Sequence, residues 1–202
     1  MRGKLIYRSP KLYSTAMRVL YGSEFRERSR IVADLIDPRS SVVDLCCGPG
    51  YLYRDFLREK QVSYTGIDAS EEFVAAVRAH GAIGIRADLH DIEAPLPAAD
   101  FVVMQASLYH FLPSPEFLIE RMLNAARLQV IISEPIRNLS TSNSPIIRTI
   151  AFAISGGPSK GSQRRFNEET LDALFERYRD HIQRALYTPS KREKIFVLSK
   201  NK

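Results

Sequence analysis

The sequence predicts an α/β protein built on a doubly wound, mostly parallel sheet, and three observations carry that prediction. Val42-Val43-Asp44-Leu45 is an apolar run that holds an acid at its end and enters the turn Cys46-Cys47-Gly48-Pro49-Gly50. Two later apolar runs end in the same way, Val62 to Ile67 at Asp68 and Ile83-Gly84-Ile85-Arg86 just before Asp88. Helical and strand-like patterns alternate around them, as crossover connections between parallel strands require. In such a sheet the ligand crevice lies outside the carboxyl ends of the strands. The three carboxylates therefore share one rim.

In chain order, Ser9-Pro10 opens a helix with proline at its first position, and Leu12, Tyr13, Ala16, Met17 and Leu20 recur at helical spacing until Gly22. A second helix opens at Ser23, with Phe25, Ile31, Val32 and Leu35 on its apolar face, and ends before Pro38. Strands are expected near 42–46, 63–67, 82–86, 100–105 and 128–134, with helices near 50–60, 70–80 and 114–127. A helix from Asn167 to Tyr178 then precedes two strand-like runs, about 181–188 and 194–200. The segment Ile136 to Phe166 is surplus to this alternation. It is polar at first, then apolar over Pro145 to Ile154, and closes at Gly156-Gly157-Pro158. That is the form of a lid over an apolar substrate, and equally of a core helix, since buried helices are apolar all round.

With 202 residues, 45% of them apolar, the chain can bury one substantial core. The expected organisation is a single domain over 1–202: N-terminal helices 1–37, a ligand-binding core 38–135, a substrate lid 136–166, and a C-terminal helix and hairpin 167–202. No apolar run reaches bilayer length and no secretory pattern precedes the first helix, so a cytoplasmic protein is expected. Its two cysteines are adjacent and give neither a disulfide framework nor a zinc set; small residues packed in a tight loop are the expected reading. Net charge is +6 over residues 1–30, −5 over 31–158 and +5 over 159–202. Basic ends around an acidic middle suit an anionic partner, such as a phospholipid surface, an acidic substrate or nucleic acid, and also suit ordinary solvated surface.

Acids gathered on one rim favour a cationic or hydroxyl-rich ligand. A dinucleotide is a poor fit, because the third glycine of G-x-G-x-x-G is missing and Asp44 would repel phosphate. S-adenosylmethionine, with a sulfonium, an ammonium, a ribose diol and an adenine amine, suits the acids better. Each acid alone could instead be a turn or capping residue, so the case rests on their order and spacing.

These motifs, over roughly residues 31–135, resemble the class I S-adenosylmethionine-dependent methyltransferases, especially the small-molecule branch of ubiquinone and menaquinone biosynthesis. The resemblance implies a Rossmann-like, seven-stranded sheet that closes with a C-terminal antiparallel hairpin, its last strand beside strand five, under an N-terminal helical lid in which Tyr7, Tyr13 and Tyr21 are candidates. It implies that Asp68 takes the ribose hydroxyls and Asp88 the adenine amine. Asp44, Cys46, Gly48, Gly50, Ala69, Leu89 and Gln105 complete the implied cofactor set. Cys46 stands where the family usually has its first glycine.

Methyl transfer is an in-line displacement and asks the protein mainly for alignment. The loop after strand four, Tyr109-His110-Phe111, is where an acceptor would approach. His110 has the intrinsic pKa of a general base, and a structural role on an apolar loop is its alternative. Glu134 is expected to face the same crevice as an orienting group or second base, while Arg137 and Asn138 could hold a carboxylate or hydroxyl. The expected acceptor is a small molecule, apolar or aromatic and quinone-like or lipid-like, with peripheral contact to an anionic membrane, no specific nucleic acid and no metal. A nucleic-acid methyltransferase and a non-catalytic cofactor-binding module are the alternatives.

Overall fold

The computed structural model describes residues 23–137 and 165–200. The first expected N-terminal helix, the three lid tyrosines, Asn138 and the apolar run 145–154 all lie outside the described residues.

Among the described residues, four α-helices and seven strands follow one another: α1 (Ser23–Asp34), β1 (Ser41–Leu45), β2 (Ser63–Asp68), α2 (Glu71–Ala79), β3 (Ile83–Arg86), β4 (Ala99–Gln105), α3 (Glu116–Ala125), β5 (Ala126–Pro135), α4 (Glu168–Glu176), β6 (Ile182–Tyr187) and β7 (Glu193–Leu198). Between β1 and β2 the chain winds through a π-type turn, Tyr53–Leu57, and a 3-10 turn, Arg58–Lys60. The strands form one sheet in the order β3-β2-β1-β4-β5-β7-β6. β1 pairs in parallel with both β2 and β4, so strand order reverses beside β1. β7 runs antiparallel between β5 and β6. This is the α/β, Rossmann-like doubly wound sheet with a C-terminal antiparallel hairpin expected from the sequence.

Residue alternation along the strands divides the core into two layers. Val42, Phe101, Val103, Ile131 and Val197 pack with Val32 and Ile36 of α1 and Val77 of α2. Val43, Leu45, Val102, Met104, Val130 and Ile132 pack on the other face with Leu118 and Met122 of α3 and Leu171 and Phe175 of α4. Both faces of β1 and β4 are covered, which is why Val42-Val43 and Phe101 to Met104 read as apolar without alternation. Fully burying one such aliphatic side chain contributes about 1.5–3 kcal/mol, so the central strands dominate stability.

Local chemistry sets the element ends. The Ser70 hydroxyl accepts from the Phe73 amide at 3.3 Å and starts α2. Asn167 caps α4 in a reciprocal box with Thr170. Lys60 Nζ donates to the Ala33 and Ile36 carbonyls at 2.6 and 2.9 Å, satisfying the end of α1. Among the described residues no helix is long and apolar enough to cross a membrane.

Candidate functional site

A cavity of about 1010 Å³ opens at the carboxyl rim, beside the point where strand order reverses. Asp44, Cys46, Gly48, Asp68, Ala69, Asp88, Leu89, Gln105, Tyr109 and His110 line it. Of the described residues expected at the site, all but Glu134, Gly50 and Arg137 line it.

The floor is the turn after β1. Cys46 adopts φ +53° and Gly48 φ +55°, which lets the chain reverse immediately. Left-handed backbone is the reason the first position of this turn favours glycine, and Cys46 accepts the strain instead. Gly66 leaves room for the turn, since a Cβ there would lie 2.7 Å from Cys47 Sγ. Burial raises both thiols well above the usual cysteine value, so neither is a nucleophile at neutral pH.

Asp68 organises the turn. Its Oδ2 accepts from the Gly48 amide and its Oδ1 from the Ser70 amide, both at 2.9 Å. Burial raises its pKa, while those amides act in the opposite direction. A carboxylate has about four acceptor sites, so two amide bonds leave capacity for ligand hydroxyls. Asp44 is buried and accepts from Tyr64 Oη at 2.6 Å. Burial, followed by the neighbouring Asp68 charge, moves its pKa up to about 7 against the pull of that hydrogen bond. Asp88 differs: it is exposed at the rim, and its Oδ1 lies 3.0 Å from both the amide and the Nδ1 of His90. The His90 amide holds it below the usual carboxylate value.

Across the mouth, Leu108–Phe111 forms a 3-10 turn after β4. The Tyr109 and His110 rings meet with centroids 4.0 Å apart, and His90 stacks on Phe111 at 4.7 Å. His110 remains exposed on one side, and its pKa is lowered by desolvation and then by the Arg165 charge. Its imidazole is therefore neutral at pH 7.

Three expected residues lie elsewhere. Glu134 does not face the cavity; it is buried beneath the 3-10 turn, where its Oε2 accepts from the Leu108 amide at 3.0 Å. Burial moves it up to about 8, with Glu193 adding to the rise. Strand alternation explains the correction, because Glu134 points into a packed layer and not over the rim. Gly50, at φ +76°, is also off the cavity; a Cβ there would come within 3.0 Å of Val77 Cγ2, so glycine serves the approach of α2. Arg137 is exposed and also outside the lining.

Among the lining residues that the sequence did not mark for the site are Phe25, Arg28 and Ser29 of α1, and Arg165. Arg28 Nη1 donates to both carboxylate oxygens of Glu193 at 2.9 and 3.2 Å, and Ser133 Oγ donates to the same carboxylate at 3.1 Å. Ser29 Oγ donates to Gln105 Oε1 at 3.4 Å and ties α1 to the end of β4. The partners are 165 and 76 residues apart, too distant for any local pattern.

Residues 42–128 match the family model described as "Methyltransferase domain". The trans-aconitate 2-methyltransferase of Mycolicibacterium gilvum is 39% identical over 87 residues, which are 43% of this chain and 33% of that protein. The match thus spans about one third of the length of that curated relative. Among solved structures, magnesium protoporphyrin IX methyltransferase from Synechocystis, with bound S-adenosylhomocysteine, aligns at TM-score 0.64 and 18% identity over 92% of this chain and 86% of its own. Human N-acetylserotonin methyltransferase, in complex with S-adenosylmethionine, aligns at 0.64 and 16% over 98% of this chain and 58% of its own. The fold is that of the class I methyltransferases, carried by a chain whose residues 42–128 match the methyltransferase domain in sequence.

Proposed function

We propose that this protein transfers a methyl group from S-adenosylmethionine to a small-molecule acceptor. One observation carries the reading: three carboxylates from successive strand ends, a left-handed glycine turn and an aromatic turn all line a single cavity at the strand-order reversal. The curated relative and the two structural neighbours named above support it, being methyltransferases by name.

The residues fit the cofactor. Asp44 would meet the ammonium or sulfonium region, Asp68 the ribose diol and Asp88, at the open rim, the adenine amine; Gly48 lets the backbone approach closely, and Leu89 supplies apolar wall. When bound, S-adenosylmethionine supplies an electrophilic methyl on a cationic sulfur. The chain's part is to align the acceptor and keep water out. Tyr109 and Phe111 contribute aromatic wall to the cavity on the acceptor side. His110, neutral and beside Tyr109, would take a proton from an acceptor hydroxyl. Glu134 has no place as a base, since it reaches the acceptor only through the turn it supports.

The test has two arms. Calorimetry should show S-adenosylhomocysteine binding that weakens by roughly tenfold to a hundredfold in Asp68→Asn, the range for a lost hydrogen bond to a charged group. Labelled S-adenosylmethionine with a small-molecule panel that includes trans-aconitate should give a labelled product. No heat from the cofactor product in the wild-type protein would sink the proposal.

A further inference from the structure

We propose that the acceptor is a carboxylic acid and that Arg165 is the residue that selects it. The inference rests on the methyl-transfer reading of the cavity but draws on a different observation.

Arg165 lines the cavity and is half-buried. Its guanidinium stacks over the Tyr109 ring, with Cζ 4.1 Å from the centroid, and Nη2 donates to Tyr109 Oη at 3.3 Å. Those two contacts fix the plane of the guanidinium and use little of its five-donor capacity. Among the described residues no carboxylate forms an ion pair with it. The other arginine of the cavity, Arg28, is neutralised by Glu193 at 2.9 Å. The Arg165 charge reaches the buried Glu134 beneath the turn, whose pKa burial moves up to about 8, but no described carboxylate pairs with it. A partly desolvated cation with an immobilised fork and no ion-paired acid favours an anionic ligand.

Topology keeps that cation away from the cofactor acids. Asp44, Asp68 and Asp88 sit at the ends of β1, β2 and β3, on one side of the reversal, whereas Arg165 meets the turn that follows β4 on the other. The cavity is thus polarised, with acids where a sulfonium cofactor would lie and a cation where the acceptor would lie. Arg165 also depresses the imidazole of the adjacent His110, which places its charge at the reacting end. A planar carboxylate suits the guanidinium by bidentate pairing, and an unsaturated or aromatic body beside it suits Tyr109 and Phe111.

The experiment is calorimetry at saturating S-adenosylhomocysteine, with trans-aconitate, cinnamate and 4-hydroxybenzoate as probes, each against its ester with every carboxyl group methylated. At least one acid should bind roughly tenfold or more tightly than its ester, and its affinity should weaken with salt while the ester's does not. Arg165→Gln should cost that acid roughly tenfold to a hundredfold and leave S-adenosylhomocysteine affinity and Tm unchanged, with Arg165→Lys recovering part of the loss. Acids that bind no better than their esters, or that bind Arg165→Gln as well as wild type, would overturn the proposal and leave Arg165 as a strut for the turn. If S-adenosylhomocysteine gives no heat while an acid binds through Arg165, the anion site stands and the methyl-transfer reading falls.

Discussion

The two halves of the cavity are built by opposite means. On the β3–β2–β1 side one unit recurs, a strand, an acid at or near its end and a turn, and its polar bonds reach no further than the neighbouring strand, as Asp68 receives the Ser70 amide two residues on and the Gly48 amide 20 residues back. On the β4–β5 side every key contact joins distant segments: Arg28 to Glu193, Leu108 to Glu134, Arg165 to Tyr109. A half made of repeated local units tolerates change outside them. A half held by long-range polar bonds fails where both partners are buried and charged, as at Arg28–Glu193, because removing one leaves the other without its counter-charge; the half-buried Arg165, bonded to the neutral Tyr109, is not such a case.

The Arg28–Glu193 pair is the sharpest case. Their side chains are 4% and 1% exposed, so Glu193→Ala would remove the carboxylate paired with a buried guanidinium. Losing one partner of such a pair costs about 3–5 kcal/mol, whereas replacing both with apolar groups of similar volume is often neutral. Urea unfolding of Glu193→Ala should show that loss, and the double variant Arg28→Met/Glu193→Leu should recover most of it. Equal losses in both would mean that the pair does not hold this half together.

The same division explains what the sequence made legible. The strands and the three acids could be read because each depends on short patterns, an apolar run, an acid at its end, a glycine turn, whereas the closing antiparallel hairpin came from the family resemblance. The helix 70–80 was placed within a residue of Glu71–Ala79 because Ser70 is a serine cap followed by two acids. Glu134 was misplaced because a strand end shows only that a carboxylate is near the rim, and the choice between cavity and packed layer depends on one residue of register. Arg28 and Arg165 were unreadable, one lying in an ordinary amphipathic helix and the other beyond a segment with no strand pattern.

Protonation offers a second way to separate the halves. Buried Glu134 titrates near 8 and Asp44 near 7, above ordinary values of 4.5 and 3.8. The folded protein therefore holds protons that the unfolded chain has already released, so stability falls as pH rises from about 4 to about 8. His110, held low, acts in the opposite direction below its ordinary 6.5, which leaves the fall cleanest between about 6.5 and 8. Glu134→Gln keeps an oxygen for the Leu108 amide but cannot ionise. Urea midpoints between pH 6.5 and 8 should fall less steeply in this variant than in wild type. An unchanged slope would assign the dependence to Asp44, in the other half.

The smallest effect belongs to the local half, at Cys46. Its φ of +53° costs a residue with a Cβ about 1–2 kcal/mol, and glycine would relieve that. Glycine also adds freedom to the unfolded chain, at a cost of about 0.5–1 kcal/mol, and gives up the packing of Cys46 against the core. The opposed contributions leave Cys46→Gly within about 1 kcal/mol of wild type. Cys46→Val keeps the strained φ, adds branching at Cβ and should be the less stable of the two by thermal melts. The turn should still bind S-adenosylhomocysteine in Cys46→Gly, because Asp68 grips it through the Gly48 amide and not through the cysteine. A large affinity loss in that variant would show that the side chain itself, and not only the backbone course, shapes the floor of the cavity.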